Sequence, residues 1–193
     1  MEDFLTSATF FDIVVVLVAM GMFVAGWLQG AIRGLLSIVA FLVAFVMAAQ
    51  LRDVLGEFLA QNWTYYDRGF NFMLALLGLW LAFVVTFQVG IQVFYRRVVL
   101  HHRLVVVDEI VGGLLGALQV FLVVALVAVI FGSFYDTLPP NTGAADIGWA
   151  RLLAGLMRES AVVGTLREGF IPALLALLGL FLPADIVAPA RTR

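Results

Sequence analysis

The chain has 193 residues, 64% of them hydrophobic and 12% charged, with a net charge of −2 and a mean hydropathy of +1.10. Soluble domains are about 45–50% apolar and about 25% charged, so a water-soluble fold and intrinsic disorder are both excluded. The charge balance leaves no cationic surface for nucleic acid, and without cysteine there can be no disulfide, thiolate chemistry or Cys-built metal site. The composition is that of an all-α polytopic membrane protein.

A spanning helix needs about 20 mainly apolar residues, and four runs satisfy this, at about 10–28, 34–51, 70–95 and 110–134. The acidic start, Met1-Glu2-Asp3, lacks the basic segment of a signal peptide, so the first run is expected to be kept as a helix. Arg33 lies between spans one and two, and Arg96, Arg97 and Arg103 lie between three and four. The second loop carries only Arg52 and Arg68. Positive residues concentrate in cytoplasmic loops, which predicts both termini outside.

Between spans two and three, Leu51, Val54, Leu55, Phe58 and Leu59 recur at helical spacing. A surface helix is therefore predicted at about 51–62, running into the interfacial aromatics Trp63, Tyr65 and Tyr66. The same pattern at Trp149, Leu152, Leu153, Leu156 and Met157 predicts a second surface helix at about 147–158. The last apolar segment, about 165–183, contains Pro172 and Pro183. Proline breaks helices, leaving about ten residues or 15 Å at 1.5 Å each. A buried or re-entrant segment is expected there, with a fifth span as the alternative.

Gly26, Gly30 and Gly34 are spaced by four across the first turn, and Gly112 and Gly116 repeat the spacing at the start of span four. Such glycines let helix backbones approach closely. Packing is favoured over a hinge or conduit. Asp12 and Asp108 stand at the N-terminal edges of spans one and four, where a carboxylate can cap free N–H groups. Capping is favoured there over proton relay. Gln88, Gln92 and Gln119 lie within spans three and four, and lipid cannot satisfy their amides. All three are expected to point inward, with Gln88 bonded to Gln119 at matching depth. The adjacent His101 and His102 have no further ligands at metal-site spacing, and neither a nucleophile elbow nor a phosphate loop occurs. No catalytic, cofactor or metal site is expected.

The stretches Asp12, Gly26-Trp-Leu-Gln-Gly30-Ala-Ile-Arg33-Gly34-Leu-Leu-Ser37 and Asp108-Glu-Ile-Val-Gly112-Gly-Leu-Leu-Gly116, with Ser160 in the C-terminal part, resemble the CvpA, or colicin V production, family. The similarity covers most of residues 9–183. In the family's turn Arg often stands where this chain has Gln29, and Glu where it has Gly34. Its second motif commonly has Arg in place of Glu109 and Gly in place of Val120. The resemblance implies a bacterial inner-membrane protein, not an enzyme, that supports colicin V or toxin production or export and envelope homeostasis. The implied partners are the lipid bilayer and membrane or envelope proteins, with a homo-oligomer as a further option and no cofactor. A small transporter or channel subunit with a glycine-lined path is the alternative.

Overall fold

The computed structural model describes residues 9–95, 105–136 and 147–183. Helices α1 (Phe10–Gln29), α2 (Ala31–Asn62), α3 (Arg68–Tyr95) and α4 (Val105–Tyr135) form an up-and-down bundle. Two shorter helices follow, α5 (Gly148–Glu159) and α6 (Ala161–Thr165), and α6 passes through a wide turn (Leu166–Phe170) into α7 (Ile171–Leu178). Among the described residues five helices are long and apolar enough to cross a membrane, the fifth being Ala161–Leu178. The fifth falls in the C-terminal apolar segment, for which the sequence predicts a re-entrant piece or, alternatively, a fifth span beside the four. Arg96, Arg97, Arg103, the His101-His102 pair and the Pro139-Pro140 turn lie outside the described residues.

The second span and the following surface helix are one element. α2 runs 32 residues without a break, because neither Pro nor a helix-ending Gly interrupts the join at Leu51 and only caps or breakers stop a helix. Its far half is held by α3: Phe72 sits over Gly56, where no Cβ would fit, and Arg68 pairs with Glu57. Trp63, Tyr65, Tyr66 and Phe70 form a chain of ring contacts across the α2–α3 link.

α2 packs along α3, and α1 packs along α4, whereas α1 and α2 touch little although one residue joins them. The order across the bundle is α1, α4, α2, α3. The core is aromatic and aliphatic at the far end from Gly30, with Phe45, Phe70, Met73, Leu76, Leu126 and Ile130 among its fully buried residues. The outer faces stay apolar, as lipid as solvent requires: Leu17, Met20, Leu28, Leu81 and Val85 are all exposed.

The α6–α7 rod begins at Ser160, earlier than the proline argument allowed. Pro172 does not end it, because the wide turn before it shifts the bonding: Ile171 N–H donates to Leu166 O, five residues back. The 18 residues Ala161–Leu178 make about 27 Å of helix. At one end the rod is tied to Asp12, about 27 Å from the Gly30 turn along α1 at 1.5 Å per residue. At the other, Gln50 Nε2 donates to Phe181 O at 2.5 Å, and Gln50 stands about 30 Å from the same turn along α2. Both ends are therefore tethered at one height. The rod lies across the bundle, over α4, rather than along it.

The exposed residues Thr165 and Leu177 test this directly in a chain without native cysteine. Spin labels on Thr165→Cys and Leu177→Cys should report nearly equal depths by oxygen and nickel accessibility in vesicles. A difference near the roughly 18 Å of twelve helical residues would mean that the rod runs along the bundle.

Candidate functional site

The buried polar centre of the described structure is Asp12, 2% exposed. It belongs to the first turn of α1, and Thr9 is that helix's N-cap. Thr9 and Asp12 make a capping box: Asp12 Oδ2 accepts from Thr9 N–H at 2.8 Å and from Thr9 Oγ1 at 2.9 Å, while Thr9 Oγ1 accepts from Asp12 N–H at 3.4 Å. The same carboxylate also serves a second helix. Ser160 Oγ donates to Oδ1, Val162 N–H donates to Oδ1 at 3.1 Å, and Ala161 N–H donates to Oδ2 at 3.2 Å.

Ser160 is in turn the N-cap of α6, accepting from Val163 N–H at 3.1 Å. One carboxylate thus meets the unsatisfied N–H groups and positive dipole ends of two helix starts 148 residues apart. Asp12 is spent as an acceptor on both oxygens. The arrangement orders helices; it leaves no oxygen free to take a proton from a substrate.

Asp108 works the same way on a different helix from its own. Its Oδ1 accepts from Ala31 N–H at 3.0 Å, so a carboxylate in the first turn of α4 caps α2. Gly30 makes this possible. Its φ of 81° is the left-handed region that side chains avoid, and any Cβ there would strike the Asp108 carboxylate. Gly30 therefore turns the chain and admits the cap in one residue.

Gly26, Gly112 and Gly116 form the seam between α1 and α4. A Cβ on Gly112 would lie 2.5 Å from Gly26 O, and one on Gly26 or Gly116 would collide with the facing backbone. Gly34 meets Leu115 on α4, where a Cβ would come to 3.0 Å of its Cβ. These glycines are packing contacts, two backbones held at a distance no side chain permits. Arg33, beside them, is half-buried.

The glutamines differ from expectation. Gln88 does not meet Gln119: its Oε1 accepts from Ser37 Oγ at 3.3 Å, because α3 lies chiefly along α2 and only lightly against α4. Gln92 is exposed rather than buried. Gln119 is buried and forms part of the wall of a cavity of about 340 Å³ with Phe11, Val15, Phe41 and Val124. Asn71, 1% exposed, was not anticipated; its Nδ2 donates to Trp63 O at 3.2 Å, and its Oδ1 is buried without a partner among the described residues. Thr9 was also missed, although Thr9-x-x-Asp12 has the capping-box spacing.

Caps and close packing therefore join the two glycine motifs to each other at the Gly30 end, and Asp12 to Ser160 at the other end of α1. A family model described as Colicin V production protein matches residues 11–169. The chain belongs to the colicin V production protein family. It is a multi-pass membrane protein, and the match takes in Asp12, both glycine motifs and Ser160. No curated protein and no solved structure matches it.

Two stability measurements check this account. Gly112→Ala should cost about 1–3 kcal/mol by overpacking, whereas Gly78→Ala, whose Cβ would meet nothing within 4 Å, should be neutral or slightly stabilising; equal effects in detergent unfolding would refute a tight seam. Asp12→Ala removes the acceptor for two helix starts and should cost about 1–3 kcal/mol. In a double-mutant cycle with Ser160→Ala the two losses should not add. Additivity would mean that Asp12 and Ser160 act separately.

Proposed function

We propose that this family member is a non-enzymatic protein of the bacterial inner membrane that supports production or export of colicin V-type toxins and envelope homeostasis by engaging other membrane or envelope proteins. The observation that supports this reading is how the span-level acids are used. Asp12 receives donors from Thr9, Ser160, Ala161 and Val162, and Asp108 receives Ala31 N–H. A hydrolase or proton carrier needs a group left over to react or titrate; both oxygens of Asp12 and Oδ1 of Asp108 are engaged in holding helix starts. Both termini face outward in this reading, from the arginine bias of the short loops and from four crossings with the α6–α7 rod lying across the outer end.

A transporter or channel is the second reading, and one observation favours it. Buried Gln119 borders the 340 Å³ cavity between α1, α2 and α4, an amide side chain in an otherwise apolar lining. Cells lacking the gene should regain toxin release when the chain is expressed, and Gln119→Leu should restore it equally well. Liposomes carrying the purified protein should show no solute flux. Selective flux that Gln119→Leu abolishes would replace the scaffold reading with the channel.

A further inference from the structure

Toward the Gly30 end of the bundle, beside the Ser37–Gln88 bond, α2 and α3 flank an open groove of about 650 Å³, within the ~300–1,000 Å³ of small-ligand sites. Leu36, Val39 and Val43 form the α2 wall, and Phe87, Ile91 and Phe94 the α3 wall. Gly90 and Ala40 lie between them, and a Cβ at Gly90 would meet nothing within 4 Å. Thr86 also borders the groove, but its hydroxyl is spent on Ala82 O at 2.8 Å. The lining is apolar along about 10–12 Å of each helix, counting Leu36 to Val43 and Thr86 to Phe94 at 1.5 Å per residue.

The mouth of this groove is cationic. Arg33, Leu36, Ala40 and Val43 follow at spacings of three, four and three, so they share one face of α2, with Arg33 one turn nearer the end of the bundle. Arg33 is half-buried and makes no ion pair among the described residues. Asp108, the acid at this turn, has its Oδ1 on Ala31 N–H and makes no ion pair with Arg33. An apolar slot capped by an unpaired guanidinium matches one class of molecule in the surrounding solvent.

We propose that this groove is a binding site for an anionic phospholipid of the bilayer, with its phosphate on Arg33 and an acyl chain between α2 and α3. Guanidinium pairs with phosphate through two parallel N–H donors, and basic pockets between spanning helices select acidic lipid headgroups. The open space at Gly90 admits the chain where a bulky side chain would fill the slot. The bound lipid covers apolar surface that α1 and α4 do not line, and it bridges α2 and α3 beside the Ser37–Gln88 bond.

Native mass spectrometry of the full chain in detergent, offered phosphatidylglycerol or phosphatidylcholine, tests the site. The wild type should retain one phosphatidylglycerol at lower lipid concentration than phosphatidylcholine. Gly90→Leu, which fills open space, should melt like the wild type yet weaken retention of both lipids about tenfold or more. Val39→Trp, changing a half-exposed wall residue, should do the same. Arg33→Gln should reduce only the preference for phosphatidylglycerol, about fivefold. Unchanged retention in both groove variants would overturn the proposal. A lipid-free dimer that Gly90→Leu dissociates would also overturn it, by giving the groove to a second copy of the chain.

Discussion

Hydrocarbon cannot hydrogen-bond, so every helix start at membrane depth must find its acceptors inside the protein. In water an uncapped first turn costs about 1 kcal/mol because solvent replaces the cap; in lipid that replacement is missing. This chain meets the constraint with carboxylates used across elements. Asp12 caps its own helix and α6 together, and Asp108 caps α2 from α4. The long-range geometry of the bundle follows from where these acids must reach. Because Asp12 binds both starts, α6 must begin beside the start of α1, and the rod can then only pass over α4 to the Gln50 end of α2.

The glycines and the acids are parts of one arrangement. Asp108 can reach Ala31 N–H only if α4 lies very close to the turn, and the closeness comes from Gly26, Gly112 and Gly116. A side chain at Gly30 would in turn occupy the space of the carboxylate. In lipid there is little hydrophobic drive between helices, so shape complementarity and a few polar bonds must supply the association. That explains why small residues gather on the α1–α4 seam while the large aromatics sit at the far end, where Phe70, Phe131 and Phe134 share a core with Tyr135.

Much of this was legible from one-dimensional pattern. Hydropathy runs locate α1, α3 and α4 because a span is a local property, and spacing by four marked the glycines because a helix face is local as well. What was not legible is pairing. Nothing within Asp12 or Ser160 announces a partner 148 residues away, and the depth argument that joined Gln88 to Gln119 assumed that consecutive spans are neighbours. Here α3 prefers α2, so equal depth did not become contact, and Ser37 took the bond. The break foreseen at Leu51 failed for a different reason. A change from lipid-facing to amphipathic periodicity alters the solvent of a helix without ending it, and no residue there removes a backbone donor.

Pro172 shows the same lesson from the other side. Its ring forbids one N–H and crowds the carbonyl four residues back, which ends a regular helix but not one that has already widened. With Ile171 bonded to Leu166 O, the register has slipped by one before the proline arrives, and the helix continues. The slipped turn also bears on where Arg167 and Glu168 can go. Arg167 reaches Asp136 at the end of α4, 3.2 Å away, and Arg158 on α5 reaches the same carboxylate at 3.4 Å. Asp136 therefore gathers α4, α5 and the rod at the end of the bundle opposite Gly30. Such exposed pairs are individually worth about 0–1 kcal/mol, so they align the rod more than they hold it. The holding is left to the buried face of Val162, Val163, Leu166, Ile171, Leu174 and Leu178, and to the carboxylate of Asp12.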